Sequence, residues 1–594
     1  MTYPGPGCLG TYSDSNQAVT VTAAEFRNSS ETGERIAMSD PQPQRIACLA
    51  QAHAAPRRTI TLSSHFAEPF QPEDWAAAWA SQPEELSYWV GSDSIDGVLP
   101  HEIVGTFFRN GPANFERGNE AYAHILDGDG YVSAWTFHEE GYVHFQSRYV
   151  RTEELEAELA ADKVLYRNTF GTQPSGGPLA NAFNLHLKNP ANTNAVLWGG
   201  KLLALWEAGA PYELHPENLE TKPGHPEVGK LVAPGNTPTT TGHSGLDKLL
   251  GFGKAMTAHP HIIYPTPEDV INEPTLLTWA WYSQRNLLGQ FSIHIEIGEF
   301  SESWDEIRSS ELTIPSCMFN PHDVAVTKNH AVFFSPQLAF DNASYLLGFK
   351  GPGQCIEFED KPMHIYLQPR SGGSAQVLQA DPCFMIHHAN AWEEDGIVTV
   401  WSTGWSPEIY AKMARSQARE GLLGSWQRVP ADLSDVPISA LWAHRIDTHT
   451  GEVSLRMLWG HSMDQATVNP YFFSRRTRYV YFDQSYSGDP MVHCPAQAFT
   501  RLDTVTGEAQ HYYPGPRCFC EELIFAPGPN AQTVEDDGYL MGMVFDASKS
   551  RSCLVVLDAA DFSKGPLTTI WLQHRIPRGL HGHFCPEVFG PRQS

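Results

Sequence analysis

Residues 127–150 read DGDGYVSAWTFHEEGYVHFQSRYV. Two runs of aromatic and β-branched residues, YVSAWTF and YVHFQSRYV, flank Glu140-Gly141, and the first is entered through Asp127-Gly128-Asp129-Gly130. Such side chains fit a pleated, half-buried surface, and Asp-Gly and Glu-Gly supply the turn. The stretch therefore predicts antiparallel strands joined tightly, with DGDG itself a tight hairpin turn. The same pattern continues outward in EIVGTFF, AVLWGG, LLALWE, LLTWAWY, AVFFS, IVTVWS, YVYFD, YLMGMVFD and CLVVLD, with further turn signals at Asp395-Gly396 and Asp537-Gly538. A sandwich uses far fewer strands than this meander, which runs from about residue 98 to the end, so the all-β pattern favours a large propeller. Short helices are expected only at 72–80 (PEDWAAAWA) and 152–162 (TEELEAELAAD), where acidic first turns precede good helix formers.

The composition suits a turn-rich, well-packed domain: apolar residues make up 41% and charged ones 18%, with 48 Gly and 44 Pro in 594 residues. A formal charge of -28 opposes binding to a phosphate backbone, which argues against a nucleic-acid partner. No stretch approaches the roughly 20 apolar residues that span a bilayer. The start, MTYPGPGCLGTYSDSN, lacks a basic region followed by an apolar run. The expectation is a soluble, unsecreted protein of the cytoplasm or an organelle interior, such as a plastid. Residues 1–60, rich in Ser, Thr, Ala, Gln and Pro, read as a flexible N-terminal extension, and 61–594 as a single β-propeller domain. The ten cysteines show no CxxC spacing, so reduced thiols are expected rather than a zinc site.

Of the 26 histidines, four stand at the edges of expected strands in distinctive surroundings: His259 in AMTAHPHIIYP, His322 in FNPHDVAVT, His387 in CFMIHHANAWEEDG and His581 in RIPRGLHGHFCPE. Inner strands of different blades converge on a propeller axis, so four distant imidazoles can meet there. An all-nitrogen site leaves a divalent metal's charge uncompensated unless carboxylates accept the remaining ring N–H groups. Glu207 in LLALWEAG and Glu522 in CEELIFAP occupy apolar runs where an unpaired carboxylate would be costly, which suits them to that part. His294-Ile295-Glu296 has the spacing of a two-histidine, one-carboxylate site but equally that of a strand face with alternate polar residues. The local sequence leaves the neighbours His261, His388 and His583 as alternatives, with His259 preferred in its own motif. HExxH, P-loop and GxSxG motifs are absent.

Taken together, VLPHEIVGTFFRNGP (98–112), HILDGDGYVSAW (124–135), SRYVRTE (147–153), NPANTNAVLWGGKLLALWEAGAPYEL (189–214), TAHPHI (257–262), PHDVAVT (321–327), HHANAWEEDG (387–396), EDDGYLMGMVFD (535–546) and IPRGLHGHF (576–584) resemble the carotenoid cleavage oxygenase family. The resemblance implies a seven-bladed β-propeller with a few short helices capping one face, and one Fe(II) per chain held by His259, His322, His387 and His581. It selects His387, three residues before Asn390, over His388, and the histidine of the His-Gly pair, His581, over His583. It places supporting carboxylates at Glu207, Glu522 and Asp464. At the last the family usually has Glu followed by Phe-Pro, whereas this chain reads Asp464-Gln465-Ala466. It also places Thr193 beside the metal, and it makes RNGP (109–112) a structural turn near the axis.

The activity implied is cleavage of a carbon–carbon double bond by O2 into two aldehyde or ketone products. A carotenoid or apocarotenoid is favoured over a stilbene, because Glu154 stands where stilbene-cleaving relatives place a phenol-binding lysine. Such apolar substrates imply peripheral membrane contact, for which GLDKLLGFGKAM (245–256) is the sequence candidate. A retinoid isomerase and a silent scaffold are the remaining alternatives. The first would need a long apolar membrane insertion that is not found. The second would be expected to have lost a ligand.

Overall fold

The computed structural model describes residues 70–228, 255–266, 269, 271–285, 291–317, 321–416, 438–485 and 495–592. The expected extension at 1–60, and residues 245–254 of the apolar candidate, lie outside the described residues. The described residues form a seven-bladed β-propeller with a few short helices.

In the first blade Gly105–Pro112, Gly130–Phe137, Val143–Tyr149 and Leu86–Trp89 pair antiparallel, and Gly582–Cys585, from the other end of the chain, adds to Gly105–Pro112. The second blade comprises Asn194–Trp198, Lys201–Leu205 and Tyr212–Leu214. In the third, Ala255–Met256 and His261–Ile263 both pair with Thr275–Arg285, followed by Phe291–Phe300 and Glu306–Pro315. The fourth runs from Ala325–Val326 through His330–Ser335 and Met363–Pro369 to Gln376–Ala380, and the fifth from Phe384–Glu394 through Ile397–Trp405 and Ala440–Asp447 to Val453–Trp459. Met463–Thr467, Tyr479–Ser485, Ala496–Asp503 and Ala509–Tyr512 make the sixth. Cys518–Pro527, Gly538–Asp546, Arg551–Asp558 and Pro566–Trp571 make the seventh, whose last strand pairs with Ile95–Gly97. Both joints between the chain ends are strand ladders, so opening the ring means unzipping two sheets.

The core lies between neighbouring blades. Phe107, Trp135 and Phe145 of the first blade pack with Met541, Leu554 and Ile570 of the seventh. Trp135 stacks on Phe107 with ring centroids 5.4 Å apart and meets Phe145 edge-on at 5.0 Å. Each such fully buried large side chain contributes about 1.5–3 kcal/mol.

Both expected helices are present but shorter, at Pro72–Ala78 and Glu153–Ala161. In the second, the Thr152 hydroxyl accepts from the Leu155 N–H, a cap worth ~1 kcal/mol, and Asp162 ends the helix in the left-handed conformation.

Two turn expectations are corrected. Asp127-Gly128-Asp129-Gly130 is not a hairpin turn: Ile125–Asp127 is a 3-10 turn leading into the strand, and both carboxylates face inward to donors on neighbouring segments. Asp127 accepts from the Phe170 and Thr172 N–H groups, and burial raises its carboxyl to about 6. Asp129 pairs with Arg117 and with buried Lys188, which also binds Glu158 at 2.7 Å, so the stretch anchors the 153–161 helix to the first blade. RNGP is likewise an extended strand rather than a turn. Arg109 forms a buried pair with Glu521 and donates to the Pro577 carbonyl. Asn110 bonds His581 and Leu580 through its backbone and the Ala191 and Asn194 carbonyls through its amide. Gly111 is required by close approach, since a Cβ there would lie 2.5 Å from the Gly579 Cα.

Candidate metal centre

Each blade contributes one ionisable side chain to the centre of the ring. His581 comes from the segment entering the first blade, Glu207 from the connection between Lys201–Leu205 and Tyr212–Leu214 of the second, and His259 from between two short strands of the third. His322 precedes the fourth, His387 lies on the first strand of the fifth, Asp464 on that of the sixth and Glu522 on that of the seventh. Three of these strands change register at the site: between Met385 and His387 and again between His388 and Asn390, between Asp464 and Thr467, and between Cys520 and Leu523. A bulge re-aims a side chain that a regular strand would point elsewhere.

The four imidazoles converge. The His259 ring centroid lies 4.4 Å from that of His322, 4.7 Å from His581 and 5.2 Å from His387, and His387 lies 5.0 Å from His581. The Nε2 atoms of His322 and His387 are 3.3 Å apart. Three histidines are oriented through Nδ1 by carboxylates: His322 by Glu207 at 2.6 Å, His387 by Asp464 at 2.8 Å and His581 by Glu522 at 2.8 Å. Glu522 also accepts from the Gly582 N–H at 2.9 Å, and Asp464 from the Thr403 hydroxyl at 2.8 Å. Each pairing leaves Nε2 available on the inner side. The Nε2 of His259 is buried without a hydrogen-bond partner, an arrangement that costs about 1–3 kcal/mol unless something else binds it. Four neutral nitrogens, three backed by carboxylates, fit a divalent transition metal.

The electrostatics agree with that donor set. Burial, and then the neighbouring imidazole of His322, push His259 well below the usual histidine range, so it is neutral at pH 7 and its Nε2 lone pair is open to a metal. Burial also disfavours the charged form of His387, but the charge of Asp464 and its hydrogen bond outweigh this and hold the group up at about 9. Burial opposes ionisation of Asp464 and Glu207, yet the histidines they contact keep both carboxyls below their usual range.

Asp464, one methylene shorter than the glutamate usual at its place, reaches His387 directly and needs no bridging water. A register shift follows it, with Gln465 held at a φ of 49° and its amide donating to the Leu580 carbonyl beside His581. Thr193 lies against the same segment: the His581 N–H donates to its carbonyl at 3.2 Å.

The rival histidines are engaged elsewhere. His261 Nε2 meets Asp323 at 3.0 Å, His388 Nδ1 meets the Ser402 hydroxyl at 2.8 Å, and His583 lies in the closing strand opposite Phe108. His294 pairs with the Ser292 and Thr313 hydroxyls on its strand face. The described cysteines are free thiols.

The family model for retinal pigment epithelial membrane protein matches residues 79–586. The apocarotenoid-15,15'-oxygenase of Synechocystis sp. is 33% identical over 526 residues, covering 88% of this chain and 98% of that protein. The chain belongs to the carotenoid cleavage oxygenase family. An isoeugenol monooxygenase of Pseudomonas nitroreducens is 28% identical over 83% of this oxygenase and 94% of its own length. The crystal structure of cobalt-substituted Synechocystis apocarotenoid oxygenase superposes with a TM-score of 0.77 at 32% identity, covering 87% of this chain and 99% of the other.

Sequence reasoning missed two features of this oxygenase. One is Asp323, buried directly after His322; the signal was a charged residue opening the apolar run VAV. The other is the clamp of Arg109 and Glu521 behind the His581 segment, where the Gly579 N–H also donates to Glu521 at 3.1 Å. Two adjacent glutamates within an apolar strand hinted that each has its own partner.

Proposed function

We propose that the chain is a non-haem Fe(II) dioxygenase that splits a double bond of a carotenoid or apocarotenoid with O2 to give two carbonyl products. In this reading His259, His322, His387 and His581 bind one iron, while Glu207, Asp464 and Glu522 orient three of them and Thr193 lies alongside. The carrying observation is the convergence of four imidazoles with three carboxylate supports and one otherwise unpartnered buried nitrogen. When bound, Fe(II) would supply an O2-binding position next to the alkene, and the electrons that reduce O2 would come from the cleaved double bond itself. The chain's own residues do the rest. The carboxylates fix the ring orientations and raise imidazole basicity, and the buried blade interfaces keep that geometry rigid.

The polyene reading draws on the similarity to the apocarotenoid oxygenase and on Glu154, an acid rather than a phenol-binding lysine at its place. The similarity to an isoeugenol monooxygenase favours a phenolic aryl alkene as the second reading. Peripheral membrane contact is supported by an apolar surface formed by two joined segments. Leu179 (98% exposed) and Phe183 (69%) stand exposed on one segment and Leu347 and Phe349 on the other, and the Phe183 N–H donates to the Leu346 carbonyl. Among the described residues no helix is long and apolar enough to cross a membrane.

The test is to incubate the Fe(II)-loaded chain with β-carotene, a series of apocarotenals, resveratrol and isoeugenol, and to identify carbonyl products by mass spectrometry. Paired aldehydes from an apocarotenal are expected. Turnover of the phenolic alkenes alone would overturn the polyene reading. Loss of phosphatidylcholine vesicle binding in L179D/F183D would support the docking surface, and unchanged binding would remove it.

A further inference from the structure

Among the described residues, Asp323 is a carboxylate that touches the motifs of His259, His322 and His387 at once. It follows His322 directly and is 5% exposed. One oxygen, Oδ1, lies 3.0 Å from the Nε2 of His261, two residues beyond His259, and 2.7 Å from the Val324 N–H. The other, Oδ2, accepts from the backbone N–H of His388, next to His387, at 2.7 Å. The third, fourth and fifth blades are therefore pinned to one another by a single buried group immediately outside the imidazole cluster. His261 is itself held by stacking on Phe473, with ring centroids 4.8 Å apart and planes 16° from parallel. The His388 contact falls between the two register shifts of its strand, where the ladder gives the backbone least support.

We propose that Asp323 is a positioning residue for the metal centre, setting the spacing of His259, His322 and His387 through hydrogen bonds to their motifs without contacting the metal. The inference rests on the reading of the four histidines as a metal site. His581 stands outside this bracket and is held separately by Glu522 and the closing strand. The His261 ring thus has a task of its own, which explains a second histidine in HPH that does not join the cluster. A charged group taken out of water is retained here because it meets three donors on three blades. A neutral side chain of the same size would leave at least one N–H unsatisfied.

The experiment titrates metal-free, full-length protein with Co(II) and follows affinity, the visible Co(II) bands and melting temperature with and without metal. Native protein is compared with D323A, which removes every arm, and with H261F, which keeps the stack on Phe473 and removes one. D323A is expected to weaken Co(II) binding about 10–100-fold, to shift the Co(II) bands and to shrink the metal-induced rise in melting temperature. H261F should do the same to a smaller degree, and it decides the matter if D323A does not fold. If both variants melt lower yet bind Co(II) with native affinity and unchanged bands, Asp323 is merely structural and the inference fails. If native protein itself binds no Co(II), the four-histidine reading falls first and takes this one with it.

Discussion

Replacing Asp464 by asparagine tests how much of the metal site is built by its supports. The side chains are nearly isosteric, so the Asn oxygen can still accept the His387 Nδ1–H that Asp464 holds at 2.8 Å and the bond from Thr403. What is lost is the charge. That charge, working against burial, holds metal-free His387 up at about 9, whereas an unperturbed imidazole titrates near ~6.5. Each unit corresponds to about 1.4 kcal/mol of differential interaction. A metal at Nε2 feels the same anion, so D464N should lose a large part of that support, about 10–100-fold in affinity. The assay is competition of Co(II) against a chromophoric chelator at pH 7.5, with the His387 ring followed by NMR in the metal-free state. Native affinity combined with a His387 pKa that stays near 9 would refute the assignment of Asp464 as the charged support.

Other consequences follow from the same geometry. H387A should abolish iron retention measured by elemental analysis, whereas H388A should retain iron, because the His388 ring is committed to Ser402; the opposite pattern would show that the wrong neighbour was chosen. In metal-free protein His387 titrates in the folded state above its unfolded value, so its stabilising contribution is complete below about 6.5 and is lost as pH rises through about 9. Thermal melts of metal-free protein should therefore fall across that window. Co(II) affinity should rise by nearly tenfold from pH 7 to 8 and by about fivefold from pH 8 to 9 as the one competing proton leaves, and a flat profile would contradict this. G579A should destabilise the chain by ~3–5 kcal/mol, since the added methyl would land on the Arg109 guanidinium and break its buried pair with Glu521; a denaturation midpoint within error of native would show that the clamp tolerates displacement.

The propeller and the four histidines were legible because their signals are local. Strands announce themselves by β-branched and aromatic runs between turns, and each metal-site histidine sits in a motif with its own recognisable neighbours. Glu207 and Glu522 were legible because a carboxylate inside an apolar run demands a partner. The bulges were not, since an extra residue in one strand shows only against the strand it fails to match. That is why sequence alone left open whether Asp464 reaches His387 directly. RNGP and DGDG read as turns because Gly, Asn, Asp and Pro are turn formers, whereas Arg109, Asp127 and Asp129 turn inward to Glu521, Phe170 and Lys188, partners that the local sequence does not reveal. Asp323 escaped because two of its donors, on His261 and His388, come from two other blades, a coincidence that exists only once the blades are assembled.

The most direct test of the account is X-ray absorption on the iron-loaded chain together with metal quantification. One iron per chain, with first-sphere scattering from four imidazole nitrogens that drops to three in H259A, is the predicted result. Substoichiometric iron, or a first sphere containing fewer imidazoles and carboxylate oxygens in their place, would contradict it.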